Sequence, residues 1–145
     1  MLALMNKREV VGFTGSRDGM TIDQEESVFE LLEQRKDKIR YVVHGGCVGA
    51  DKQFHDMCIR LKIPVHIMPC NLKDTQAKCE KAAKIYPERP PLSRNKKIVV
   101  AASVILAAPA QRGEILRSGT WSTIRYAKNA KKKLAIIYSD GCIQL

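Results

Sequence analysis

Three short stretches bring together the residue types that grip phosphate or ribose: Thr14-Gly15-Ser16-Arg17, Gly45-Gly46-Cys47-Val48-Gly49-Ala50-Asp51 and Arg117-Ser118-Gly119-Thr120-Trp121. The glycines let backbone N–H groups approach a ligand with no Cβ in the way. Ser16, Ser118 and Thr120 supply hydroxyls, and Arg17 supplies a charged fork. A single loop of this kind is commonly just a tight turn after a strand. Three at corresponding places in successive units form a site. Asp51 reads equally as a first-turn cap or as a reactive carboxylate. Trp121, the only tryptophan, reads as a base-stacking platform or as a residue packed against a sheet. Valine at Gly46 or Gly119 is expected to abolish ligand binding and leave the fold intact, because a branched side chain would intrude where backbone meets phosphate.

Other chemistries lack their residues. No G-x-x-x-x-G-K-[ST] loop occurs, and Gly12, Gly15 and Gly19 do not have dinucleotide-fingerprint spacing. His44, His55 and His66 have no metal-ligand spacing and read as structural. The five cysteines, at 47, 58, 70, 79 and 142, form an odd count without a CxxC pair, which argues against a disulfide framework or a zinc ribbon. Ser118 has no recognisable His/Asp relay. No resident cofactor or metal is expected.

The elements that must position the loops alternate between short β-branched runs and helical patterns, the form of repeated βα units around a parallel sheet. Strands are expected at Val10–Thr14, Ile39–Val43, Pro64–Met68, Val104–Ala107 and Leu134–Tyr138. Thr21 with Gln24 makes a capping-box start for a helix from about Asp23 to Arg35. Further helices are expected through Phe54, Met57, Cys58 and Leu61, over Thr75–Lys84, from Asn95 to Ala102, and from Thr120 to Ala130. Tyr86–Pro91 and Pro109–Arg117 read as loops. The three loops then fall beyond the carboxyl ends of the strands, where open α/β sheets bind ligands.

The 145 residues suit one domain, with ordinary globular composition. The apolar start Met1–Met5 is cut off by Asn6, Lys7, Arg8 and Glu9, too early for a signal-peptide core or a membrane span. A cytoplasmic protein with no membrane partner is the expectation. The formal net charge of +10 attracts nucleic acid or a phosphorylated small molecule, or it serves only solubility, with Lys128 and Lys131 to Lys133 as a solvated helix end.

Gly15-Ser16-Arg17 after the first strand, the 45–51 loop, Ser93-Arg94-Asn95 before a buried strand, and Ser118-Gly119-Thr120-Trp121-Ser122-Thr123 opening the last helix together resemble the SLOG superfamily. That group includes the DNA-processing protein A Rossmann domain, the "lonely guy" phosphoribohydrolases and small YspA-type proteins. The resemblance runs from about Val10 to Ile137. It implies one Rossmann-like, three-layer α/β domain over residues 1–145, a mainly parallel sheet of about five strands, a nucleotide or nucleotide-derived ligand, and a homo-oligomer. Binding would fall to Gly15, Ser16, Arg17, Gly45, Gly46, Gly49, Asp51, Arg94, Asn95, Ser118, Gly119, Thr120 and Trp121. Arg94 is a cation at a helix start, where it opposes the dipole unless an anion is present.

Against the phosphoribohydrolases, Arg94 matches an arginine on the helix before strand four, and Gly119 and Thr120 match their P-G-G-x-G-T-x-x-E loop. Their catalytic glutamate falls on Thr123. An N-glycosidase acting on nucleoside 5′-monophosphates would therefore need a carboxylate from another loop, Asp51 first and Glu114 second, with Arg94 beside it. The Arg94-Asn95 pair and the Ser118-Gly119 start look closer to the DNA-processing and YspA branches. The expectation is thus a sensor or binding module, with the N-glycosidase as the alternative and single-stranded nucleic-acid binding as a second alternative.

Overall fold

A computed structural model describes residues 8–113 and 118–145. The strands are β1 (Glu9–Gly15), β2 (Ile39–His44), β3 (Val65–Ile67), β4 (Lys84–Ile85), β5 (Val104–Ala108), β6 (Lys133–Ile137) and β7 (Ile143–Gln144). The helices are α1 (Ile22–Arg35), α2 (Ala50–Arg60), α3 (Pro91–Ala101) and α4 (Gly119–Asn129), with short 3-10 turns at 36–38 and 73–75. The strands form one sheet in the order β4-β3-β2-β1-β5-β6-β7. Every pairing is parallel except that of β7 with β6. None of the helices among the described residues is long and apolar enough to cross a membrane.

Alternation along the strands sorts the helices onto two faces. Val11 and Phe13 of β1 and Leu106 of β5 pack with Val28 and Leu32 of α1 and Phe54 and Met57 of α2. The intervening residues point the other way. Gly12 faces Ile98 and Ala102 at the end of α3, and Ile105 packs with Val99, Ala102 and Ala127 of the α3–α4 layer. The Phe13 and Phe54 rings stack 4.2 Å apart and 5° from parallel, which fixes α2 over β1.

From β1 the chain winds outward through β2 and β3 to β4, then returns to β5 on the other flank of β1. The carboxyl ends of β1 and β5 are therefore the topological switch point, where the following segments diverge and leave a crevice. The capping box at α1 is present as expected, and Gln24 does more than close it. Its Oε1 accepts from the Thr21 amide, while its buried Nε2 donates to Pro109 O at 2.9 Å and Ile137 O at 3.0 Å. One side chain thus caps the helix and pins the ends of two strands.

Three expectations are corrected. The sheet has seven strands rather than about five, the additions being the two-residue edge strands β4 and β7. The helix expected over Thr75–Lys84 does not form. Its residues favour helix, but their backbone is committed elsewhere: Thr75 O accepts from Val48 N–H, Ala77 N–H donates to Gly46 O, and Ala83 N–H donates to Val65 O. Tertiary pairing overrides a weak local preference. The helix expected from Asn95 begins at Pro91, because proline at the first helical position loses no hydrogen bond and already has helical φ.

Candidate ligand-binding crevice

The crevice at the switch point has a volume of about 550 Å³, within the range of small-ligand sites. Of the residues expected to bind, it brings together Gly15, Ser16, Arg17, Gly45, Asp51, Arg94, Asn95, Ser118, Gly119, Thr120 and Trp121. The amino ends of α2, α3 and α4 all reach it, through Asp51, through Pro91, Leu92, Arg94 and Asn95, and through Gly119 and Thr120. Helix amino ends carry amides without intrahelical acceptors and a positive dipole end, so three of them focus on one space a field that favours an anion. Ser118 caps α4 by accepting from the Trp121 amide at 3.3 Å. No other described residue lies within 4 Å of where a Cβ on Gly119 would sit. Glu114 and Arg117 lie outside the described residues.

The other loop glycines serve the protein's own packing. A Cβ on Gly45 would overlap Arg94 Nη1, and one on Gly49 would overlap the Arg17 backbone carbonyl. Gly46 and Gly49 do not line the crevice. Gly46 has φ +70°, and its Cβ would meet Ile67 Cγ2 at 2.9 Å. The expectation that valine at Gly46 spares the fold is therefore overturned: the substitution strains the backbone and collides with β3.

Arg94 is buried, and its guanidinium turns inward. Nη1 donates to Gly45 O at 2.9 Å and Met68 O at 3.1 Å, Nε donates to Asn95 Oδ1 at 2.9 Å, and Nη2 approaches Cys47 Sγ at 3.5 Å. It ties the 45–47 loop to the segment after β3 and forms the crevice floor. Asp51, 6% exposed, lies beside it and accepts from the Cys47 amide at 3.1 Å. Burial pushes the Asp51 carboxyl up to about 6, with the Cys47 amide and the Arg94 charge opposing that shift. A carboxyl that titrates near neutrality in a crevice can both hold and release a proton at working pH.

Two of the histidines, distant in sequence, meet below the loop. Glu80 O can only accept, so His55 Nε2 donates to it at 2.7 Å. His55 Nδ1 then accepts from His44 Nε2–H at 3.0 Å, and His44 Nδ1 accepts the Gly46 amide at 2.9 Å. Both rings are neutral in this relay. His44, His55 and Cys79 each place one ligand atom within 4.8 Å of the others. The tautomer nevertheless leaves His44 no free lone pair, because its unprotonated nitrogen is occupied by the Gly46 amide.

This relay has a consequence for pH. Burial, then the neighbouring His55 and Arg94, lowers the His44 pKa to about 3, whereas an unfolded histidine titrates near 6.5. Below about pH 6.5 the unfolded chain therefore binds the proton first, and stability falls as pH drops toward 3. Asp51 acts in the opposite sense between about 4 and 6, because its folded pKa lies above the unfolded value. The His44 displacement is the larger, so a net loss is expected on acidification. Urea midpoints across this range measure it. His44→Gln, less stable at neutral pH, is expected to show a shallower dependence; an equal slope in both proteins would contradict the relay.

Thr123 is buried and donates its hydroxyl to Gly119 O at 3.1 Å inside α4. It does not line the crevice. Trp121 packs with Ala107, Ile124, Ile136 and Tyr138 while also bordering the crevice. Its indole N–H is buried and has no hydrogen-bond partner among the described residues. The lining also includes residues that sequence reasoning missed: Asp18, Leu72, Pro91, Leu92, Ile98, Ala110 and Gln111. Ala110 and Gln111 follow the buried strand β5, and that position was a usable signal. Leu72 gave none.

No protein-family model matches the chain, and no curated protein matches it in sequence. Solved structures do match. The molybdenum cofactor binding protein from Rippkaea orientalis aligns with a TM-score of 0.71 at 15% identity, over 92% of this chain and 78% of that one. DNA processing protein A from Helicobacter pylori, described for its single-stranded DNA binding mode, aligns with a TM-score of 0.67 at 17% identity, over 93% and 67%. These likenesses show the fold, which is Rossmann-like. The molybdenum cofactor carrier protein from Chlamydomonas reinhardtii shares this fold, with a TM-score of 0.63 at 16% identity over 89% of this chain and 76% of that one.

Proposed function

We propose that the crevice binds a nucleotide or nucleotide-derived ligand, with its phosphate at the amino ends of the helices, and that the protein acts as a sensor or binding module. The observation that carries this reading is the convergence of three helix amino ends on one crevice, with Gly119 leaving open approach to the α4 backbone. Ser16, Ser118 and Thr120 offer hydroxyls to phosphate or ribose, and the exposed Arg17 stands at the rim. Arg94 and Asn95 act mainly by holding the floor in shape. The similar structures described as binding or carrying molybdenum cofactor or as binding single-stranded DNA agree with a ligand-binding role. Calorimetric titration with nucleoside 5′-monophosphates and with the same nucleosides tests the reading: the phosphorylated form is expected to bind more tightly.

A second reading, N-glycosidase action on nucleoside 5′-monophosphates, is favoured by one observation, the buried Asp51 carboxyl raised to about 6 in the crevice. The helix amino ends would hold the phosphate while Asp51 stabilised the developing sugar cation and activated water. Release of free base, followed by chromatography, tests it. If base is released, Asp51→Asn is expected to slow the reaction by roughly a hundredfold or more. If no nucleotide yields base, this reading falls.

A further inference from the structure

Helix α1 crosses its face of the sheet diagonally. Near its start, Gln24 bonds to Pro109 O and Ile137 O at the carboxyl ends of β5 and β6. At its end, Arg35 pairs with Glu9, the first residue of β1. The helix therefore leaves the amino ends of β5 and β6 uncovered. β6 leads into the edge strand β7 rather than into a helix that would cover them.

The uncovered ground is a groove of about 460 Å³, within the range of small-ligand sites. Val104 and Leu106 of β5 and Ala135 of β6 line it, together with Leu31 of α1 and the exposed Leu145. Val104 pairs in register with Lys133, and Leu106 with Ala135. Strand alternation sends the Lys133 side chain to the same face as Ala135, and Lys133 also lines the groove. It is exposed and forms no ion pair with a described carboxylate. Glu9, the one carboxylate side chain in the lining among the described residues, is already held by Arg35. The Arg35 hydrogen bond, with the charges of Arg35, Lys38 and Lys133, keeps the Glu9 carboxyl below its ordinary range. An apolar slot thus opens under a surplus of positive charge.

We propose that this groove is a second binding site, for a free fatty carboxylate of medium chain length, with the alkyl chain along Val104, Leu106 and Ala135 and the carboxylate at Lys133. Open apolar surface gains from a ligand that removes it from water, and the cation favours an anionic amphiphile over a neutral or cationic one. A second copy placed face to face would set Lys133 and its neighbours against like charges. The chain's own apolar run Met1–Met5 is followed by Lys7 and Arg8, which would add to the surplus. A bilayer offers the same head-and-chain chemistry, but a slot sunk between α1 and the sheet fits one free chain better than a flat surface. The groove lies at the amino ends of the strands and the crevice at their carboxyl ends, so the proposal does not rest on the crevice reading.

The test is calorimetric titration of the full chain with hexanoate, octanoate and decanoate, with decyltrimethylammonium as the cationic counterpart. Affinity for the carboxylates is expected to rise about tenfold for each two methylenes added, and the cationic amphiphile is expected to bind far more weakly than decanoate. Lys133→Glu is expected to weaken decanoate binding at least fivefold, and Val104→Phe, which fills the groove and keeps it apolar, at least tenfold. Lys128→Glu makes the same charge change at an exposed site on α4 and is expected to bind as the parent does. Methyl NMR of the unmodified protein reads the site without any variant: decanoate is expected to shift Val104, Leu106 and Ala135 ahead of the other methyl groups. No binding of decanoate, equal binding of the cationic amphiphile, equal weakening by Lys128→Glu, or methyl shifts centred elsewhere overturns the proposal. So does binding to phosphatidylglycerol vesicles without binding to free decanoate. Two other occupants would overturn it as well: the amino-terminal run, if decanoate binds only after Leu2→Ser and Leu4→Ser, and a second copy, if the groove methyls shift with protein concentration alone.

Discussion

Arg94→Ala is expected to lower the melting temperature by roughly 10–20 °C, the scale of a loss of about 3–5 kcal/mol in a domain of this size. The substitution removes the donors to Gly45 O and Met68 O and leaves two buried residues' carbonyls without that partner. It also removes the positive charge that favours ionised Asp51. Gly45 has no Cβ because the guanidinium lies against its backbone, so alanine at 94 opens a void that the loop cannot close without moving. Lysine should recover only part of the loss, since one ammonium cannot reproduce the planar fork. Differential scanning calorimetry decides the matter. A melting temperature within about 2 °C of the parent, less than 1 kcal/mol by the same scale, would show that Arg94 is not the clamp described.

Gly119→Val is expected to do the opposite, leaving stability nearly unchanged and abolishing ligand binding. Gly119 is exposed at the first position of α4, is not among the glycines with positive φ, and meets no other described residue where a Cβ would be added. The helix-propensity difference between Gly and Val there is a fraction of a kcal/mol. The isopropyl group would fill the approach to the α4 amides, so at least a tenfold loss of affinity for a nucleoside monophosphate is expected, about 1.4 kcal/mol. Gly46→Val makes the contrast, because its positive φ and the contact with Ile67 predict a loss of stability first. Thermal melts of both variants with and without nucleotide separate the two behaviours. Full stabilisation of Gly119→Val by nucleotide would place the ligand elsewhere.

Much of the fold was legible in the chain. The strands β1, β2, β5 and β6 announce themselves as short β-branched or apolar runs, and Thr21 with Gln24 marks the start of α1. The edge strands β4 and β7 could not be read, since two-residue strands have no periodicity and exist only because a neighbour offers partners. The segment 75–83 has the residues of a helix and pairs instead with the 46–48 loop and β3.

At the crevice, the three loops come together beyond the strand ends, but most of their glycines lie against the protein's own atoms. A glycine signals that something comes close, not what comes close. At Gly45 it is Arg94, at Gly49 the backbone of Arg17, and at Gly15 the Ala50 side chain; among the glycines of the three loops, Gly119 is the one that meets no other described residue. The meeting of His44 with His55 was equally invisible, because it depends on α2 crossing the end of β2.

The central claim is that the crevice recognises a phosphate carried by a nucleoside, and calorimetric titration of the unmodified protein with matched pairs addresses it most directly. Each nucleoside 5′-monophosphate is compared with its own nucleoside under identical buffer and salt. At least one monophosphate is expected to bind more than tenfold tighter than its nucleoside, since charge-assisted hydrogen bonds to helix amides contribute about 1.5–3 kcal/mol. Equal affinity within every pair, or no heat from any monophosphate at millimolar concentration, would contradict the account.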